Sequence, residues 1–142
     1  DPSLETFIQY SKNPFRKFNK RELIGIGARF NLENNFKAGI GVMNEYEEDL
    51  SAIADSTLRL SSYFHSEFLI DENIVFDLSG FIQPALNSFS DYKATLIGQF
   101  DFHVNKNFKI SLQYNTFYDS KPPSNAVKKE EGFATVFSYN FN

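Results

Sequence analysis

His65-Ser66-Glu67 sets an imidazole, a hydroxyl and a carboxylate side by side, the groups a nucleophilic hydrolase recruits. The stretch lies within residues 57–70, where apolar and polar residues alternate, and that pattern predicts a β-strand. Successive strand side chains point to opposite faces, so Ser66 turns away from His65 and Glu67 and no triad can form. His65 and Glu67 read instead as hydrogen-bonding members of an interior. His65, Glu67, Asp101 and His103 share that interior and come nearest to a metal-ligand set. Two strands' width and different heights separate the two histidines, so no metal site is assigned. The chain has no cysteine, which excludes disulfides and thiolate chemistry. Gly25 and Gly27, and again Gly39 and Gly41, flank an isoleucine in "GIG". A phosphate-cradling loop needs its glycines at a strand-to-helix turn; these lie inside strands, face inward, and read as room for bulky neighbours or a bend in the wall. No catalytic residue, cofactor or metal is expected, and the chain is not expected to be an enzyme. Lys12, Arg16, Lys17, Lys20 and Arg21, interleaved with Phe15 and Phe18, could meet the phosphates of lipopolysaccharide. Glu45, Glu47, Glu48 and Asp49 on the neighbouring connection balance them, and a solvated loop is the favoured reading.

The elements that carry these residues are strands throughout. In "NFKISLQYNTFYDSKPPS", residues 107–124, Phe108, Ile110, Leu112, Tyr114, Thr116 and Tyr118 share one parity, and Asn107, Lys109, Ser111, Gln113 and Asn115 the other. A dozen alternating residues is about twice an ordinary strand. The same alternation fills residues 22–32, 35–47, 57–70, 72–83, 91–104 and 131–141, with a weaker instance, "SLETFIQY", that Lys12-Asn13-Pro14 should end early. Eight strands, no helix and one domain over residues 1–142 are predicted. The net charge of −4 gives no basic face for nucleic acid. No apolar run approaches the roughly 18 residues of a transmembrane helix. No signal peptide is visible, and the start at Asp1-Pro2 reads as a processed or trimmed chain. Low mean hydropathy ordinarily means a soluble protein, but membrane β-barrels alternate and average their apolar face away.

The connections and the aromatic residues decide where the apolar parity goes. Glu33-Asn34-Asn35, Asp71-Glu72-Asn73 and Asn105-Lys106-Asn107 read as tight turns, whereas residues 11–21, 47–56, 84–91 and 119–130 read as long loops. Strict alternation of the two puts all long loops at one end, the arrangement of transmembrane barrels. On the apolar parity Phe30, Phe36, Phe68, Phe76, Phe102, Phe108 and Phe141 stand beside the short turns, and Tyr10, Tyr46, Tyr92 and Tyr118 beside the long loops. Phe36 to Tyr46, Tyr92 to Phe102 and Phe108 to Tyr118 are each ten residues apart. At about 3.3 Å per residue and a tilt of about 40° that is a rise of roughly 25 Å, the height of the apolar band between two aromatic girdles. Phe36, Tyr46, Phe68, Tyr92, Phe102, Phe108, Tyr118 and Phe141 are assigned to lipid-facing girdles. The opposite parity carries Arg29, Lys37, Glu45, Arg59, His65, Glu67, Asp77, Lys93, Asp101, His103 and Lys109, a lumen network of mixed sign whose members can pair. Eight strands enclose just enough space for side chains to fill, so a plugged polar core without an open channel is expected.

"NPFRKFNKRELIGIGARF", "FSDYKATLIGQFDFHVNKNFKISLQYNTFYDSKPP" and the alternating aromatic ending resemble the bacterial family called domain of unknown function 481. The motifs that carry the resemblance are Arg21 before Gly25-Ile26-Gly27, Phe89-Ser90-Asp91-Tyr92 leading into a strand, and Tyr118-Asp119-Ser120 before Pro122-Pro123. The resemblance covers nearly the whole chain and implies an outer-membrane barrel of a Gram-negative bacterium, some members being labelled salt-induced outer membrane proteins. It brings no catalytic residues. Family members are usually longer at the N-terminus, which implies further strands before this region and makes the chain the C-terminal part of a larger barrel. The chain departs from the usual barrel ending, because Asn142 follows the last aromatic, Phe141.

The combined expectation is an all-β, antiparallel up-and-down transmembrane β-barrel in the bacterial outer membrane, structural or interaction-bearing, with long external loops as its recognition surface. Its expected partners are outer-membrane lipids, lipopolysaccharide, the barrel-assembly machinery and a partner chain. Two alternatives stand beside it: a small-solute pore, if further strands widen the barrel, and a soluble lipocalin-like ligand-binding barrel with the apolar parity turned inward.

Overall fold

Every alternating segment forms a strand, and most strands run past the end of their apolar pattern. The computed structural model describes residues 2–13, 17–32, 35–123 and 126–141. Its elements are β1 (Pro2–Asn13), β2 (Phe18–Asn31), β3 (Phe36–Asp49), β4 (Ala54–Asp71), β5 (Ile74–Ala85), β6 (Ser88–His103), β7 (Phe108–Asp119) and β8 (Lys129–Tyr139). They form one sheet in the order β1 to β8, each strand antiparallel to the next. No helix among the described residues is long and apolar enough to cross a membrane.

Two expectations about the ends of the strands are corrected. β1 does not stop early but continues to Asn13, where Asn13 pairs Phe18 past a bulge. The loops expected at residues 47–56 and 84–91 shrink to residues 50–53 and 86–87, and the one expected at residues 11–21 is strand through Asn13 and again from Phe18, with residues 14–16 outside the described ones. Ladder pairing does not require apolar side chains, and Glu47 pairs Asp55 and Glu48 pairs Ala54 after the apolar alternation has ended. The tight reversal is stabilised locally: Asp49 Oδ1 accepts hydrogen bonds from the Ser51 and Ile53 amides at 2.7 and 2.9 Å. At the other hairpin a bulge between Pro84 and Ala85 takes up residues 89–91. Connection length therefore does not distinguish the two ends of the sheet.

The two faces differ as the alternation implies, with the apolar one outward. Ile24, Ile26, Ile40, Val42, Leu58, Leu96, Phe100 and Leu112 are exposed on it. Among the described residues the buried hydrophobic side chains are Phe18, Leu23, Met43 and Ala85, against nine buried polar or charged ones. This is the reverse of a soluble barrel with an apolar interior. At the short-turn end the outward rings stack, Phe36 on Phe64, Phe68 on Phe76 and Phe76 on Phe100, at centroid distances of 6.2, 6.0 and 4.5 Å. At the other end Tyr92 and Tyr118 lie 5.5 Å apart. An ion pair interrupts the outward face of the edge strand β8: Glu131 and Lys129 lie 3.0 Å apart, and Glu131 also accepts the Tyr114 hydroxyl.

The sheet is curled far enough for side chains to meet across its hollow. Tyr63 on β4 donates its hydroxyl to Glu5 on β1 at 2.6 Å, and Lys93 on β6 donates to Glu45 on β3 at 2.9 Å. Gly39 lets this happen, since a Cβ there would collide with the Tyr63 ring lying flat over it. Gly25 makes the same room beneath Phe7.

Ring closure is not part of the hydrogen-bonded sheet: β1 and β8 are its two edges and do not pair. The register sets the two edges at different heights. Stepping straight across the ladders from Leu4 leads through Ala28, Ile40, Ser62, Ile82, Ala94 and Tyr118 to Lys129. Lys129 is the first residue of β8, so β8 is displaced along its axis from β1 by most of a strand's length.

Candidate functional site

The sequence places most of its charges on the inward parity, and β2, β3, β4, β6 and β7 bring one group of them to a single level near the loop end. Glu45 is at the centre, almost wholly buried. It accepts from Arg21 Nε at 2.6 Å, from Lys93 Nζ at 2.9 Å, and from Arg59 Nε through its other oxygen. Each cation has a second carboxylate on the wall behind it. Lys93 reaches Glu47 at 2.9 Å and Asp119 at 3.6 Å, Arg59 Nη1 reaches Asp91 at 3.0 Å, and Arg21 Nε stands 3.8 Å from Glu47. A buried charge left without its partner is destabilising by about 3–5 kcal/mol, and here no member depends on a single pair, since Glu45 has three cations and each cation a second carboxylate. Arg21 Nη2 is a buried donor without a partner, an arrangement that costs about 1–3 kcal/mol.

A second polar group lies toward the short-turn end. Asp101 accepts from Lys109 Nζ at 2.8 Å and from Gln99 Nε2 at 2.9 Å. His65 Nδ1 lies 2.9 Å from Ser79 Oγ, while Ser66 faces the other side of the sheet. Glu67 pairs across the ladder with Asp77. Between the two groups Glu5 joins Arg29, at 3.1 Å, to Tyr63.

Of the residues assigned to a lumen network, Arg59, Lys93 and Asp101 lie buried in these two groups, and Arg29, His65, Asp77 and Lys109 are half-buried. Lys37, Glu67 and His103 correct the expectation of an enclosed network, because all three are exposed at the mouth beside the short turns. Parity gives the side of the sheet but not the depth. The basic cluster is corrected too. Arg21 and Phe18 are buried inside the hollow and belong to no solvated loop, while Phe15 and Arg16 lie outside the described residues. Arg21, Glu47, Asp91 and Asp119 are missing from the expected network. Arg21 shares the parity of Leu23 and Arg29, and Asp119 that of Lys109 and Gln113, so the signal was present once the strands are extended to their true ends. The apolar-parity aromatics assigned to girdles lie on the outward face of their strands, and Phe141 is exposed just past β8.

Among the described residues no group of three or more His, Asp and Glu side chains is placed to hold a metal. No curated protein and no solved structure matches the chain. The family model described as protein of unknown function, DUF481, matches residues 2–141, nearly the full length. The chain belongs to that family.

Proposed function

We propose that the protein is an integral β-barrel of the bacterial outer membrane without a catalytic site, serving a structural or interaction role through the hairpins at its loop end. The observation that carries this reading is the inverted distribution of its side chains. A soluble protein rarely exposes a contiguous apolar patch beyond a few hundred Å², yet here the outward stripes of successive strands are apolar while arginine, lysine and glutamate fill the interior. A bilayer makes that distribution favourable, and the aromatic rings at both ends then sit at its two interfaces.

The register supports closure of the eight strands into a barrel. A cylinder of tilted strands needs its first and last strands offset by a fixed stagger. Starting from the Leu4–Lys129 level, a stagger of ten residues sets Leu4 opposite Tyr139 and Tyr10 opposite Phe133, so that β1 and β8 overlap along their whole length. Ten residues at about 3.3 Å over eight strands at about 4.8 Å correspond to a tilt of about 40°, within the usual range for barrels. Outward residues then meet outward residues.

Two measurements test the reading. The protein should float with lipid vesicles after a urea wash, and it should migrate at different apparent sizes on a gel before and after boiling, because a closed ladder resists detergent. Recovery in the aqueous phase without detergent would overturn it.

A further inference from the structure

The hollow is wide below the ionic group and nearly shut above it. Resting on the membrane reading, we propose that the interior is an ion path and that Glu45, with the three cations it holds, is its gate, closed in this structure. Below the gate a cavity of about 600 Å³ is lined by the polar side chains Gln9, Gln83, Thr95 and Asn115, by the charged Arg21, Glu130 and Glu131, and by apolar residues that include Leu23 and Ile97. Another, of about 330 Å³, lies at the short-turn mouth beside His103, Lys109 and Ser138. Arg21 lines the large cavity and also the space on the far side, where Lys93, Glu47, Asp119, Phe117 and Pro122 leave a volume of only about 10 Å³. That is room for about one water molecule. The constriction therefore coincides with the ionic group. The wall below it carries polar side chains and two carboxylates, Glu130 and Glu131, and acidic side chains of this kind line cation pores.

The group has the composition of a two-state element. Glu45 is the member that Arg21, Arg59 and Lys93 share, and it ties β3 to β2, β4 and β6. When it lets go, no cation is left alone. Arg59 keeps Asp91, Lys93 keeps Glu47 and Asp119, and Arg21 stands beside Glu47 with a spare donor. Three cations then lie against three carboxylates on the wall, and the Glu45 carboxylate, which has lost its cations, turns out of the centre toward water in the hollow. Local exchange of charged partners of this kind is how packed interiors switch between discrete arrangements.

The test is single-channel recording of the full chain in planar bilayers, with flotation and heat-modifiability measured on the same preparations. Glu45→Gln keeps the shape of the side chain and leaves the charges balanced, so it should insert and raise the mean current by about tenfold or more, since a lost hydrogen bond to a charge shifts a two-state equilibrium by at least that factor. Lys93→Gln cuts the tie from β3 to β6 and should also open the path, with a preference for cations because Glu47 and Asp119 lose the Lys93 charge. Asp101→Asn breaks the Lys109 pair well below the constriction and should leave the current at the wild-type level. The gate is overturned if both opening variants float, shift on heating and stay as silent as the wild type. It is equally overturned if Asp101→Asn opens the path as much, or if the wild type already carries the Glu45→Gln current. A wild-type chain that fails to float overturns the membrane reading and the gate together, whereas a floating chain with silent variants overturns the gate alone.

Discussion

Leu112 and Gln113 are neighbours in the chain and stand in opposite environments. Leu112 lies on the exposed apolar face, and Gln113 points into the hollow. In a bilayer an arginine at the midplane costs about 2–4 kcal/mol, so Leu112→Arg should destabilise the protein by that amount in reversible unfolding from lipid. Gln113→Leu should cost much less. If Gln113→Leu is the more damaging change, the outward and inward faces have been exchanged. At this scale the sequence was readable wherever a period of two suffices, which is why the sides of Arg59, Lys93 and Asp101 follow from counting. Pairing across the hollow was not readable. That Lys93 meets Glu45 depends on the curl of three intervening ladders, and no spacing within one strand encodes it. The same limit applies to Lys37 and Glu67, whose parity is inward but whose height leaves them in solvent.

Strands and their connections show a different limit. Strand interiors were legible because the outer face and the hollow each take one kind of side chain at every second position. Strand ends were not, because past the tyrosines both faces carry polar residues and any polar residue can continue a ladder, as Glu47 and Glu48 do opposite Asp55 and Ala54. The apparent loops at residues 47–56 and 84–91 were polar strand ends. The fit of β1 is set by a contact that local patterns do not contain, the hydroxyl of Tyr63 reaching Glu5 over Gly39. Tyr63→Phe removes that donor and leaves a carboxylate short of a partner, a loss of about 1–3 kcal/mol. Hydrogen exchange in lipid should report it as faster exchange at Leu4, Thr6 and Ile8, with β6 unchanged. Uniform acceleration across the sheet would show that the contact does not tether β1. Gly39→Val should give the same pattern more strongly, because the new methyls meet the Tyr63 ring.

For the whole molecule the question is what covers the two edges. Ile8 on β1 and Phe133 on β8 are 82% and 86% exposed, and in hydrocarbon each unpaired backbone group beside them would cost several kcal/mol. The stagger of ten residues predicts the partners: Ile8 opposite Thr135 and Leu4 opposite Tyr139. Because the chain has no cysteine, an engineered pair reports on its own. Ile8→Cys with Thr135→Cys should oxidise to an intramolecular disulfide in vesicles, since residues directly opposite in a ladder lie within the Cα distance of roughly 4.4–6.8 Å that a disulfide spans. Ile8→Cys with Tyr139→Cys should not, because four residues of slip add about 13 Å along the strand. Efficient bonding of the second pair and not the first would fix a different stagger while keeping the ring. Disulfides that form only between two chains would mean that a second copy completes the wall, with β8 of each protomer beside β1 of its partner. If neither pair crosslinks in a protein that floats with lipid, the edges are closed by strands other than β1 and β8, and the eight described here are one arc of a wider barrel whose lumen the Glu45 group is too small to plug.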